Sequence, residues 1–113
     1  MTDTNTGNQR VLEFIVTGQK LAKKPGCDFS NLVAGSVGYL KAKFHFSNEW
    51  TDCKKAASFW LNDKEHAVLL DEDNSCDIPP EVSASRMFEV SVTGVRNNIL
   101  IPTTKFKVRQ GVR

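Results

Sequence analysis

Side-chain catalysis needs groups that converge, and this sequence holds few of them. They are His45 and His66, the thiols of Cys27, Cys53 and Cys76, and serines without the G-x-S-x-G elbow of a nucleophile. A zinc site needs closely spaced donors, and scattered cysteines with no C-x-x-C pair and two histidines fall short of one. Gly35 and Gly38 in Val33-Ala34-Gly35-Ser36-Val37-Gly38 lack the Lys-Ser/Thr that completes a phosphate loop, so they read as turn glycines. Asp71-Glu72-Asp73-Asn74-Ser75 has the acidity of a calcium loop, but no Gly stands at the sixth position and no Glu at the twelfth. It reads as an acidic turn. No catalytic residue, metal ligand set or cofactor is expected, and the chain is read as a non-enzyme.

The elements available to position any site are strands. Leu12, Phe14 and Val16 alternate with Val11, Glu13 and Ile15 up to Gly18. The clearest strand is Tyr39 to Phe46, where Leu40, Ala42, Phe44 and Phe46 share one face and Tyr39, Lys41, Lys43 and His45 the wet one. His45 is therefore expected as a solvent-facing strand residue. Pro25-Gly26 marks a turn, with a loop or irregular edge strand around Leu21 before it. Lys55 to Leu61 and His66 to Asp71 read as a hairpin with the four-residue loop Asn62-Asp63-Lys64-Glu65. Ile78-Pro79-Pro80-Glu81-Val82 reads as a crossover opening one helical turn at Pro80, because adjacent prolines remove two backbone donors. Phe88, Val90 and Val92 alternate up to Gly94, which permits a bulge or close approach. After Arg96-Asn97-Asn98, the stretch from Ile99 to Val108 returns as the last strand, bent at Pro102. Trp50 is expected to plug one end of the core.

About seven short strands with frequent turn signals predict an all-β, Ig-like antiparallel β-sandwich, with a small open barrel as the alternative. The expected organisation is a flexible N-terminal arm at 1–9, one domain at 10–110 and a C-terminal tail at 111–113. Buried thiols without a disulfide framework are expected, since the cysteines are odd in number. The polar start carries no apolar signal region and no stretch approaches a membrane span, so a protein made in the cytoplasm and free of the membrane is expected. A net charge of +2 gives no reason to expect a nucleic-acid partner. Charge is segregated, however: Lys20, Lys23 and Lys24 lie early, Lys105, Lys107 and Arg109 late, and an acidic stretch from Asp71 to Glu81 between them. Tyr39, Lys41, Lys43 and His45, with Lys105, Lys107 and Arg109, form the expected interface set.

The order of these segments resembles a family of small domains in tail, baseplate and head-fibre proteins of bacteriophages and prophages of Gram-positive bacteria. The matching residues start at Val33-Ala34-Gly35-Ser36, Tyr39-Leu40-Lys41-Ala42-Lys43-Phe44-His45-Phe46-Ser47 and Glu49-Trp50. They continue through Lys55-Ala56-Ala57-Ser58-Phe59, Val68-Leu69-Leu70-Asp71 and Cys76-Asp77-Ile78-Pro79 with Glu81-Val82. Phe88-Glu89-Val90-Ser91-Val92-Thr93-Gly94 and Ile101-Pro102-Thr103 complete the set, and the likeness spans about residues 11 to 109. The resemblance implies a β-sandwich adaptor located in the virion, contacting other virion proteins and a homo-oligomer by expectation. Two features depart from the pattern: Pro80 stands where Trp is common, and the sequence stops at Gly111-Val112-Arg113 without a coiled-coil or fibre segment. A stand-alone decoration or connector protein is therefore expected over a fibre. A glycan- or receptor-binding module and an inhibitor of a host protein are the alternative functions.

Overall fold

The computed structural model describes residues 9–112, so the expected arm lies, apart from Gln9, outside the described residues, as does Arg113. In chain order the strands are β1 (Arg10–Thr17), β2 (Lys20–Lys23), β3 (Leu40–Phe46), β4 (Lys54–Leu61) and β5 (Lys64–Leu69). They continue as β6 (Ser75–Asp77), β7 (Met87–Arg96), β8 (Ile99–Pro102) and β9 (Phe106–Arg109), with one helical turn, α1 (Pro80–Ser83), before β7. The first sheet runs β2-β1-β3-β6, and the second runs β5-β4-β7 with β8 and β9 both along the far side of β7. Their inner faces share one hydrophobic core, the expected all-β sandwich, and among the described residues no barrel closes.

Nine strands replace the expected seven for local reasons. β6 is only three residues long, too short for an alternation to show. The last strand divides because Pro102 has no N–H to donate and Thr103 turns in: its Oγ1 accepts from Val92 N at 2.9 Å. The hairpin from β4 to β5 also differs from the expected four-residue loop. Asn62 accepts φ 56°, so the chain reverses over Asn62-Asp63 alone, and Lys64 and Glu65 pair with Leu61 and Trp60 as strand residues. Their charge belongs to an edge strand that merely has the composition of a loop.

One pair is parallel where antiparallel neighbours were expected. β1 turns back into β2, and residues 24–39 then return the chain to the starting end, so β3 enters beside Arg10 in the direction of β1. Arg10 N donates to Tyr39 O at 2.8 Å, and its guanidinium holds the returning loop through Asp28 O and Ser30 O. The same loop is pinned by a parallel bridge between Val33 and Gly111.

The parallel register sets Phe14 opposite Phe44, and their rings stack at 5.1 Å. Around them, Leu12, Val16, Leu40 and Ala42 of the first sheet meet Ala57, Phe59, Phe88, Val90 and Val92 of the second, all buried. Ile78 and Val82 close one end across the proline crossover, where Pro80 opens α1 at its first position as expected. Trp50 fills another part of the core, fully buried, its Nε1 donating to Gly18 O at 2.8 Å. Gly94 is the residue this plug requires: a Cβ there would stand 2.7 Å from Trp50 Cζ3.

Candidate interaction surfaces

Each sheet turns one face to the core, so the opposite face carries whatever the molecule presents. On the first sheet the registers bring Lys41 beside Val11 and Asp77, and Lys43 beside Glu13 and Ser75. Each of these lysines thus has a carboxylate neighbour. His45 Nε2 donates to Glu13 Oε1 at 2.7 Å, and that hydrogen bond holds the Glu13 carboxyl below the usual carboxylate range. Imidazole and carboxylate are about a third exposed, so the pair links two parallel strands at a wet surface, where such contacts contribute little. Gln9, Val11, Lys41, Lys43, Asp73 and Ser75 line a groove of about 170 Å³ here. Tyr39 lies just ahead of β3 and is exposed.

The acidic turn folds on itself. Asp71 Oδ1 accepts from Ser75 N at 3.0 Å and Asp73 N at 3.2 Å, and Ser75 Oγ bonds both carboxylates. Hydrogen bonding with the Asp73 side chain and then the Ser75 N–H holds Asp71 down to about 2. These contacts tie off the loop between β5 and β6.

Lys107 and Arg109 belong to β9 of the second sheet, and Lys105 lies just ahead of it. The structure therefore does not join them to Tyr39, Lys41, Lys43 and His45 in one patch: one group lies on or just before β3 of the first sheet, the other on or just before β9 of the second. Lys107 is opposite Glu89 and Arg109 opposite Met87, while Lys105 Nζ stands 3.9 Å from the centre of the Trp60 ring. Trp60 is half-buried, and its Nε1 donates to Ser91 Oγ at 3.0 Å. Both polar and π contacts of this indole are thus engaged within the chain. The two histidines are likewise on different sheets: His66 is opposite Phe59, with its Nε2 buried and without a hydrogen-bond partner among the described residues.

Sequence reasoning missed the rest of the second sheet's outer face. Successive registers align Leu69, Ala56, Thr93 and Pro102 in one row, Ala67, Ser58 and Ser91 in the next, and Glu65, Trp60, Glu89 and Lys107 in a third. Beyond the first row, Val95 stands between Lys54 and Leu100. The centre of this face is uncharged and built of small residues, and Leu69 at 77% and Leu100 at 64% exposure stand on it open to solvent. The alternating Ala56, Ser58 and Trp60 are visible in the sequence. Their neighbours on β5, β7 and β8 come from distant segments, so the face exists only once the registers are set.

No protein-family model, curated protein or solved structure matches the chain.

Proposed function

We propose that this protein is a bacteriophage virion structural protein, a capsid decoration, head-fibre base or tail or baseplate connector, that works through protein–protein interfaces and not by catalysis. The observation that carries the interface reading is the outer face of the second sheet, where Leu69, Val95 and Leu100 are exposed around Ala56 and Thr93, on a sandwich whose inner faces are filled. Exposed apolar area on a flat, hydrogen-bonded sheet is suited to burial against another protein. The virion assignment rests on the ordered resemblance running from Val33 to Thr103. A glycan-binding module would want a free aromatic platform. Trp50 is consumed by the core and Trp60 by Ser91 and Lys105, so that reading draws less support.

Mass spectrometry of purified particles is the direct test, with the chain expected among the virion proteins in stoichiometric amount. Its absence from particles, together with recovery on a host protein from infected cells, would overturn this reading in favour of a host-protein inhibitor.

A further inference from the structure

We propose that copies of this chain join head to tail through the edges of the second sheet, β9 of one copy pairing with β5 of the next. An open sheet edge is a row of unpaired N–H and C=O groups, and what satisfies such a row is another strand. Backbone groups alternate in direction along a strand, so one hydrogen bond fixes which residues point outward. Leu70 N donates to Lys55 O at 3.0 Å, so the even-numbered residues of β5 turn to β4 and Glu65, Ala67 and Leu69 turn to the open side. Gln110 N donates to Arg86 O at 2.7 Å, so Lys107 and Arg109 of β9 likewise turn away from β7. The other edges are taken or short. Thr104 donates its N–H to Gln19 O and accepts at Oγ1 from Leu21 N, which closes β2. β6 has three residues, and its Ser75 O accepts from Asp71 N. β8 has four and ends at Pro102, whose carbonyl accepts from Gln19 Nε2.

Direction, face and charge fit this pairing. β5 and β9 run antiparallel, because the pairings β5–β4, β4–β7 and β7–β9 that link them are all antiparallel. A copy displaced sideways along the row Glu65, Trp60, Glu89, Lys107 brings its Glu65 beside Lys107, both with outward-turned backbone and with side chains on one face. Two residues further along, the same register brings Arg109 to Asp63 of the β4–β5 turn. Glu65 accepts from Ser58 Oγ at one carboxylate oxygen, and its Oε1 has no partner among the described residues. The first sheet repeats the polarity. β2, tied to the β9 side through Thr104, carries Lys20 and Lys23 with Lys24 next to it, whereas β6 and the turn leading into it carry Asp71, Glu72, Asp73 and Asp77. The sandwich thus has a basic side at β2 and β9 and an acidic side at β5 and β6. Asp28 and Lys64 are the exceptions, and Lys41, Lys43, Lys54 and Lys55 lie one strand inward of the acidic side. Among the described residues the only ion pair is His45 with Glu13, so no salt bridge within the chain neutralises either side. Pairing β5 with β5 or β9 with β9 would set like charges together. The contact is therefore heterologous, and it continues into a ring or an open filament.

The inference does not depend on the virion reading, and its test is separate: sedimentation equilibrium of the full chain at up to about 1 mM, with circular dichroism confirming that each variant is folded. A contact of one short strand pair is small, so the association is weak and depends on concentration. The wild-type chain is expected to form a series of species beyond the dimer, and the series to shrink as salt is raised from about 0.05 to about 0.5 M. Glu65→Lys and Lys107→Glu each set like charges at the contact and are each expected to weaken it about tenfold. An equimolar mixture of the two variants is expected to recover the wild-type constant within a few-fold, because the altered edge of each matches the altered edge of the other. Ala67→Pro removes an N–H that points to the open side and not to β4, so the chain is expected to fold and to remain monomeric. If it does not fold, the charge variants decide the matter by themselves. A wild-type chain that stays monomeric at about 1 mM overturns the proposal, as does association that stops at the dimer or does not respond to salt. So does a mixture no tighter than its separate variants, or a folded Ala67→Pro chain that still assembles. A chain that is monomeric in solution yet present in purified particles would overturn self-association while leaving the proposed function standing.

Discussion

Individual side chains in the core differ in what they tolerate. Phe44 is 1% exposed and packs on Phe14 and Phe46, so Phe44→Ala removes a ring that its neighbours cannot replace. A loss of about 3–5 kcal/mol is expected in urea unfolding, from lost transfer energy and the cavity left behind. Gly94 presents the opposite case. Gly94→Ala adds one methyl group where Trp50 already stands, and overpacking of this kind costs about 1–3 kcal/mol. A neutral Gly94→Ala would mean that the indole can move aside, which the hydrogen bond from Trp50 Nε1 to Gly18 O opposes. Cys76 belongs to the same interior: burial first, and then the carboxylate of Asp77, pushes its thiol up to about 12. This thiol therefore stays protonated in the folded chain at neutral pH; Cys53 and Cys76 are buried as expected, whereas Cys27 is only half-buried.

At the scale of elements, turns decide which residues face which. Asn62 closes the β4–β5 hairpin in two residues and thereby places Glu65 beside Trp60. A loop of a different length would shift the register and move every β5 side chain relative to β4. The Asp71 turn makes the next connection and carries a pH dependence. Its carboxyl is held at about 2 against an ordinary value of 3.8, so the folded state binds the proton less readily than the unfolded chain. The resulting stabilisation is present above pH 3.8 and is lost as pH falls through about 2. Asp71→Asn should therefore lower the melting temperature at pH 7 and flatten its decline between those values. Melting curves at a series of pH values check this, and an unchanged acid limb in the variant would place the acid sensitivity elsewhere.

For the whole molecule, one core joins both sheets, and the loop at 24–39 is tied to the far end of the chain through Val33 and Gly111. No part of the described sandwich has a separate interior, so the unfolding is expected to be cooperative. Fluorescence of Trp50 and Trp60, one inside and one on the outer face, should report the same urea midpoint as circular dichroism. Two separated midpoints would show that the sheets come apart before they unfold.

What was legible in the sequence is the part that depends on neighbours along the chain. Alternation in Leu12–Val16, Leu40–Phe46 and Phe88–Val92 determined which residues line the core, because side chains on a strand change sides at every residue. Pro80 and Gly94 announced a helical start and a close approach for equally local reasons. Pairing between segments was not legible. The parallel union of β1 and β3, the carboxylate partner of His45 and the division of the basic residues between two sheets all depend on contacts between residues far apart in the chain. The same holds for the surface on which the proposed function rests. Ala56, Thr93, Leu69 and Pro102 are unremarkable singly, and only the registers of four strands make them one uncharged row. Alternation is written in the covalent order of the chain, whereas register is settled by the packing of the whole sandwich.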